Sequence, residues 1–206
     1  MSEQKKVSNL RQAEPVYNEI TQKTDVRRVK KVKHVVLWSI LVLCICYTGY
    51  VISCNIWPST VAITGRSMEQ TILDGDRVLL SNDGYVPAQG DIVVVAENGT
   101  QMETAIIKRV IAVEGQTVDI NFETGAVFVD GHLLDESAYT QNGSTTKNEG
   151  MLFPQTVPQG CVFLLGDNRI VSEDSRNPKV GMVEQRFLLG KVTKIIYPLH
   201  RIRFFE

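Results

Sequence analysis

The sequence predicts a mainly β fold, an antiparallel β-sheet domain of about residues 58–206 preceded by one transmembrane α-helix, on three observations. Short segments rich in β-branched residues recur along the second half of the chain, Asn-Gly and Asp-Gly pairs stand between several of them, and an uncharged apolar run follows a cluster of basic residues near the amino terminus.

The chain of 206 residues is long enough for one globular domain plus a short extra segment. Residues 1–34 hold nine of the 22 Lys/Arg and four of the 23 Asp/Glu, leaving 13 basic against 19 acidic residues beyond them. The tail is a basic arm, while the net charge of −1 shows no general basic excess, so no nucleic-acid partner is expected.

Arg27, Arg28, Lys30, Lys31 and Lys33 lead directly into Val35 to Ile52, which is uncharged and mostly apolar, and Trp57 and Pro58 follow. Eighteen or more such residues at about 1.5 Å rise each approach the roughly 30 Å of a bilayer's hydrocarbon. The run is too long for the apolar part of a cleaved leader and has no small-x-small pair at its end, so residues 35–57 are predicted to be a retained anchor in contact with membrane lipid. Basic residues on the amino-terminal flank predict a single-pass protein of the cell membrane, tail cytoplasmic and residues 58–206 outside, with Trp38 and Trp57 at the two interfaces.

Cys44, Cys46 and Cys54 lie in or beside the span, and Cys161 alone falls beyond it, so no internal disulfide is expected there. His34, His132 and His200 are far apart and no Cys or His pair stands at ligand spacing, so neither a metal site nor a histidine-based triad is predicted.

Predicted strands are Val78–Leu80, Asp91–Ala96, Ala105–Val113, Thr117–Ile120, Ala126–Val129, Cys161–Leu165 and Leu188–Tyr197. Asn98-Gly99, Asp130-Gly131 and Asn142-Gly143 suit hairpin turns. Residues 135–160 are poor in apolar runs and read as a long exposed loop or flap.

Two residues carry the chemistry. Ser67 stands in the run Gly65, Arg66, Ser67, Met68, ahead of the turn signal Asp74, Gly75, Asp76, and Lys108 stands among Ile106, Ile107, Val110 and Ile111. A serine beside a glycine is usually a turn residue and a strand lysine usually extends its amine to water. A lysine held among aliphatic side chains, however, is costly to keep charged, and its neutral amine can take a proton from a serine hydroxyl without any histidine. After the apolar strand, Gly166, Asp167, Asn168, Arg169, Ser172, Asp174, Ser175 and Arg176 form a dense polar loop whose groups can satisfy one another, Asp174 and Arg176 directly.

With the anchor, Gly65–Asp76, Gly90–Val95, Lys108–Gly115 and Val157–Arg176 in this order, the chain resembles the bacterial type I signal peptidases, in their shorter one-span form. The resemblance implies a membrane serine endopeptidase that removes signal peptides from exported preproteins after small-x-small sites, without a cofactor. It implies Ser67 as nucleophile, Lys108 as general base, and Ser172 as the hydroxyl that holds the lysine amine. Asp167, Arg169, Asp174 and Arg176 would fix the loop that carries Ser172. The Ser67 amide would donate to the oxyanion. Gly65 stands where some members supply a serine hydroxyl, and Met68 would help line a shallow pocket for small side chains.

Two features depart from the family. Gln70 replaces a proline, which is expected to loosen the nucleophile turn, and four residues, Asn177–Val180, separate Arg176 from Gly181 where two or three are typical. Other readings are a relative dedicated to pilus or conjugation proteins and a non-catalytic assembly factor of the same fold. A self-cleaving repressor would need a DNA-binding helical domain in place of the membrane span.

Overall fold

The computed structural model describes residues 32–51, 60–102, 104–141 and 143–205. Arg27, Arg28, Lys30, Lys31, Cys54, Trp57, Pro58 and Asn142 therefore lie outside the described residues.

One helix, α1, covers Val32–Val51 and is long and apolar enough to cross a membrane. Val32, Lys33 and His34, ahead of the expected Val35, are helical as well. Ser39 Oγ donates to the Val36 carbonyl at 2.8 Å and Thr48 Oγ1 to that of Cys44 at 2.7 Å, so neither hydroxyl is left without a partner in the apolar run.

The β unit is built from two antiparallel sheets. The first joins β1 (Thr60–Ala62), β2 (Arg77–Ser81), β3 (Ile92–Val95) and β4 (Ile106–Val113) to strands from later in the chain. A small second sheet follows, from β5 (Thr117–Asn121), β6 (Ala126–Val129), β7 (His132–Leu133) and β8 (Gln155–Thr156), in the order β7-β6-β5-β8. The chain then returns with β9 (Cys161–Leu165), β10 (Val183–Glu184), β11 (Leu188–Tyr197) and β12 (Arg203–Phe204). The large sheet runs β1-β2-β11-β3-β4-β9-β10, with β12 on β11. Strand direction alternates throughout, as predicted.

Strands β3 and β9 are buried along their whole length, which explains why they read as continuous aliphatic runs. Apolar residues of β2, β3, β4 and β11 close over Met68 and Ile72 in one core, and Phe163, Val118 and Val127 centre another between the sheets. Asp130 and Gly131, at φ 52° and 76°, make the tight turn from β6 to β7 that their pairing predicts. Asn98-Gly99 lies instead in a single 3-10 turn ending at Gly99.

Residues 135–160, expected as an exposed loop or flap, are mostly exposed or half-buried among the described residues. Glu136, Thr140 and Thr145 are buried there, and the segment is tied down by polar bonds that no hydrophobic pattern reveals.

Candidate active site

Strand β4 carries Lys108 into the interior. The side chain is 3% exposed, and Nζ lies 2.9 Å from Ser67 Oγ and donates to the Ile107 carbonyl at 2.9 Å. Burial pushes this amine down from 10.5 to about 8, with Asp174, Glu173 and Asp167 drawing it part of the way back. An ammonium that has lost its water is disfavoured, so the neutral base is within reach near neutral pH.

Ser67 sits in a turn fixed from both sides. The Gly65 amide donates to Asp74 Oδ1 at 2.9 Å, and the Ser67 carbonyl accepts the Asn168 amide at 2.9 Å. No hydrogen bond occupies the Ser67 amide among the described residues, which leaves it available to an incoming oxygen. Gly166 has to be glycine: a Cβ there would lie 2.6 Å from the Ser67 carbonyl oxygen and 2.2 Å from Ser172 Oγ.

A groove of about 320 Å³ leads to this pair, lined by Val61–Thr64 on one wall and Thr104–Lys108 on the other, with Val94 on its floor and Ser67. Among the described residues, both walls are strand edges with no further strand paired to them. β1 pairs with β2 alone, and β4 meets β9 only from Arg109 onward. Met68 is not in the lining; it is fully buried in the core beneath, so packing accounts for it.

The polar loop is ordered by buried charge. Asp167 accepts both forks of Arg109, at 2.8 and 2.7 Å, together with the Thr71 hydroxyl. Arg176 Nε and Nη2 meet Asp174 at 2.8 and 2.9 Å, the pairing expected within the loop. Arg169 binds Glu136 Oε1 and Thr145 Oγ1, and so holds residues 136–145 against the loop. Arg109, Glu136 and Thr145 were not foreseen as site residues; the adjacency of Arg109 to Lys108 on a buried strand was the one available signal.

Ser172 differs from its implied role. Its hydroxyl is buried without a hydrogen-bond partner, and the second contact of the lysine amine is the Ile107 carbonyl. The longer spacing after Arg176 is absorbed by a tight turn in which the Val180 and Gly181 amides both donate to the Asn177 carbonyl at 2.9 Å.

Gln70 has φ 96°, a conformation closed to proline and strained for any side chain. The turn is therefore held in a shape of its own, not a loosened version of a proline turn. Gln70→Gly is expected to raise the unfolding midpoint, worth roughly 1 kcal/mol, and Gln70→Pro to lower it, both readable by urea denaturation.

Fold and site together describe a serine peptidase, a hydrolase in which a serine hydroxyl and a buried amine meet at the end of a strand-lined groove. The model of the family "Signal peptidase, peptidase S26" matches residues 32–197, and the chain belongs to that family. Signal peptidase I of Bacillus amyloliquefaciens is 30% identical over 149 residues, covering 68% of this chain and 75% of that protein. Signal peptidase IB of Staphylococcus aureus is 30% identical over 158 residues, covering 69% and 79%. A crystal structure of a signal peptidase I from Enterococcus faecalis V583 aligns with a TM-score of 0.40 at 29% identity, over 53% of this chain and 98% of that one.

Proposed function

We propose that this chain is a membrane-anchored endopeptidase that removes signal peptides from exported preproteins, with Ser67 as nucleophile and Lys108 as general base. The observation that carries the reading is the 2.9 Å contact between a buried lysine amine and a serine hydroxyl at the end of the groove.

In the reacting state the neutral amine donates to the Ile107 carbonyl and accepts the Ser67 proton through its lone pair. Ser67 Oγ attacks the scissile carbonyl carbon as its proton passes to Nζ, and the oxyanion forms beside the Ser67 amide. The ammonium then protonates the departing amine as the C–N bond breaks. Water repeats the sequence on the acyl-enzyme, Lys108 again taking the proton. An extended substrate adds between the edges of β1 and Thr104–Ile107, with the small residues before the cut lying in the groove beside Ser67.

A membrane anchor on the same chain tethers the peptidase unit to the membrane that carries signal helices, which raises the local substrate concentration. With Lys33 in the first turn of α1, at its amino-terminal end, we assign the tail to the cytoplasm and the β unit to the outside, in contact with lipid through α1.

The purified full chain in detergent should cut a preprotein once, directly after a small-x-small sequence, as read from the amino terminus of the product. Because the free amine is the working form, kcat/KM should climb with pH through about 8 and level off above it. A rate that does not vary from pH 6 to 10 would rule out Lys108 as the base.

A further inference from the structure

We propose that Ile170 and Val171 contact the part of the substrate that follows the scissile bond and favour an apolar side chain directly after the cut. This rests on the function proposed above and assigns a contact that the groove does not provide.

The two residues form the tip of a turn that abuts the nucleophile. Its first residue, Asn168, donates its amide to the Ser67 carbonyl at 2.9 Å and its Nδ2 to Glu69 Oε2 at 3.1 Å, and the Ser172 amide closes the turn on the Asn168 carbonyl at 3.0 Å. Gly166 packs against both Ser172 and the Ser67 carbonyl, so turn and nucleophile are in direct contact.

The base of this turn is rigid. Arg169, Asp174 and Arg176 are fully buried and paired. At the tip, however, Ile170 is 67% exposed and Val171 48% exposed. Single apolar residues on a surface are ordinary. Here two branched aliphatic side chains are adjacent and held toward solvent by a buried ionic base beside the reacting serine.

The groove ends at Ser67 and Lys108, and no residue of the turn lines it. A peptide lying in the groove with its scissile carbonyl at Ser67 has its small residues there and must continue beyond it. The turn is the element that meets Ser67 outside the groove, so the residues after the cut pass over Ile170 and Val171. Glu173 beside the pair is exposed, and its carboxylate opposes an anionic lipid surface and favours a peptide as the occupant.

The test uses the full chain in detergent and a series of preproteins that share one signal peptide and differ only in the first residue after the cut: Leu, Val, Ser, Asp or Lys. The wild type should favour Leu and Val over Asp and Lys by about tenfold in kcat/KM. With Ile170→Asn and Val171→Asn together the ratio should fall to within about twofold of one, whereas Ile170→Val with Val171→Ile should keep it, which separates loss of the contact from loss of folding. A flat wild-type series, or a preference the Asn variant retains, overturns the proposal. So does a common drop on every substrate confined to lipid vesicles, which would mark a membrane contact. Failure of the wild type to cut any member would overturn the proposed function itself, whereas cutting all members equally removes this contact alone.

Discussion

Replacing Lys108 by Met, or Ser67 by Ala, should lower kcat/KM for a preprotein by at least about 10⁴-fold, and the double variant should be no slower than either single one. In the proposed mechanism the two groups act as one unit: the hydroxyl 2.9 Å from Nζ is a poor nucleophile unless its proton has somewhere to go, and the amine has no other role in bond breaking. Lys108→Met also removes the cost of burying an amine. The folded β unit should therefore be no less stable than the wild type, and lost activity cannot be ascribed to unfolding. The measurement is single-turnover cleavage beside a thermal midpoint. Cleavage by either single variant above a tenth of the wild-type rate would defeat the assignment.

The second large effect is on stability. Arg176→Met strands the Asp174 carboxylate in a dry site and deprives the carbonyls of Arg169 and Lys147 of their donor. Breaking a buried pair from one side costs about 3–5 kcal/mol, against a total of roughly 5–15 kcal/mol for a domain. The melting midpoint should fall by about 10 °C. The control is Arg186→Ala, whose partner Glu184 is on the surface at 70% and 49% side-chain exposure; it should change stability by less than about 0.5 kcal/mol. Equal urea midpoints for the two variants would show that the buried pair does not hold the loop.

What the sequence revealed follows from how each feature is encoded. Strands β2, β3, β4, β5, β6, β9 and β11 were legible because each is a run of β-branched or aliphatic residues long enough to be bounded by turn formers. β7, β8, β10 and β12 have two residues each, too short to carry any period, and are made by what they pair with. Ser67 and Lys108 were legible because a lysine among aliphatic side chains contradicts its surroundings. The Asp174–Arg176 pair was legible because the partners are two residues apart. The partners of Asp167 and Arg169 were not, since they lie 58 and 33 residues away and only the fold brings them together. The groove beside Ser67 is a gap between two edges, and no residue pattern encodes a gap.

Cys161 is the one thiol of the β unit, and it lies buried in β9, where loss of water disfavours the thiolate. The peptidase fold therefore owes nothing to sulfur cross-links. It should reach and keep the same midpoint with or without a reducing agent, and it needs no oxidising partner to mature on either side of a membrane.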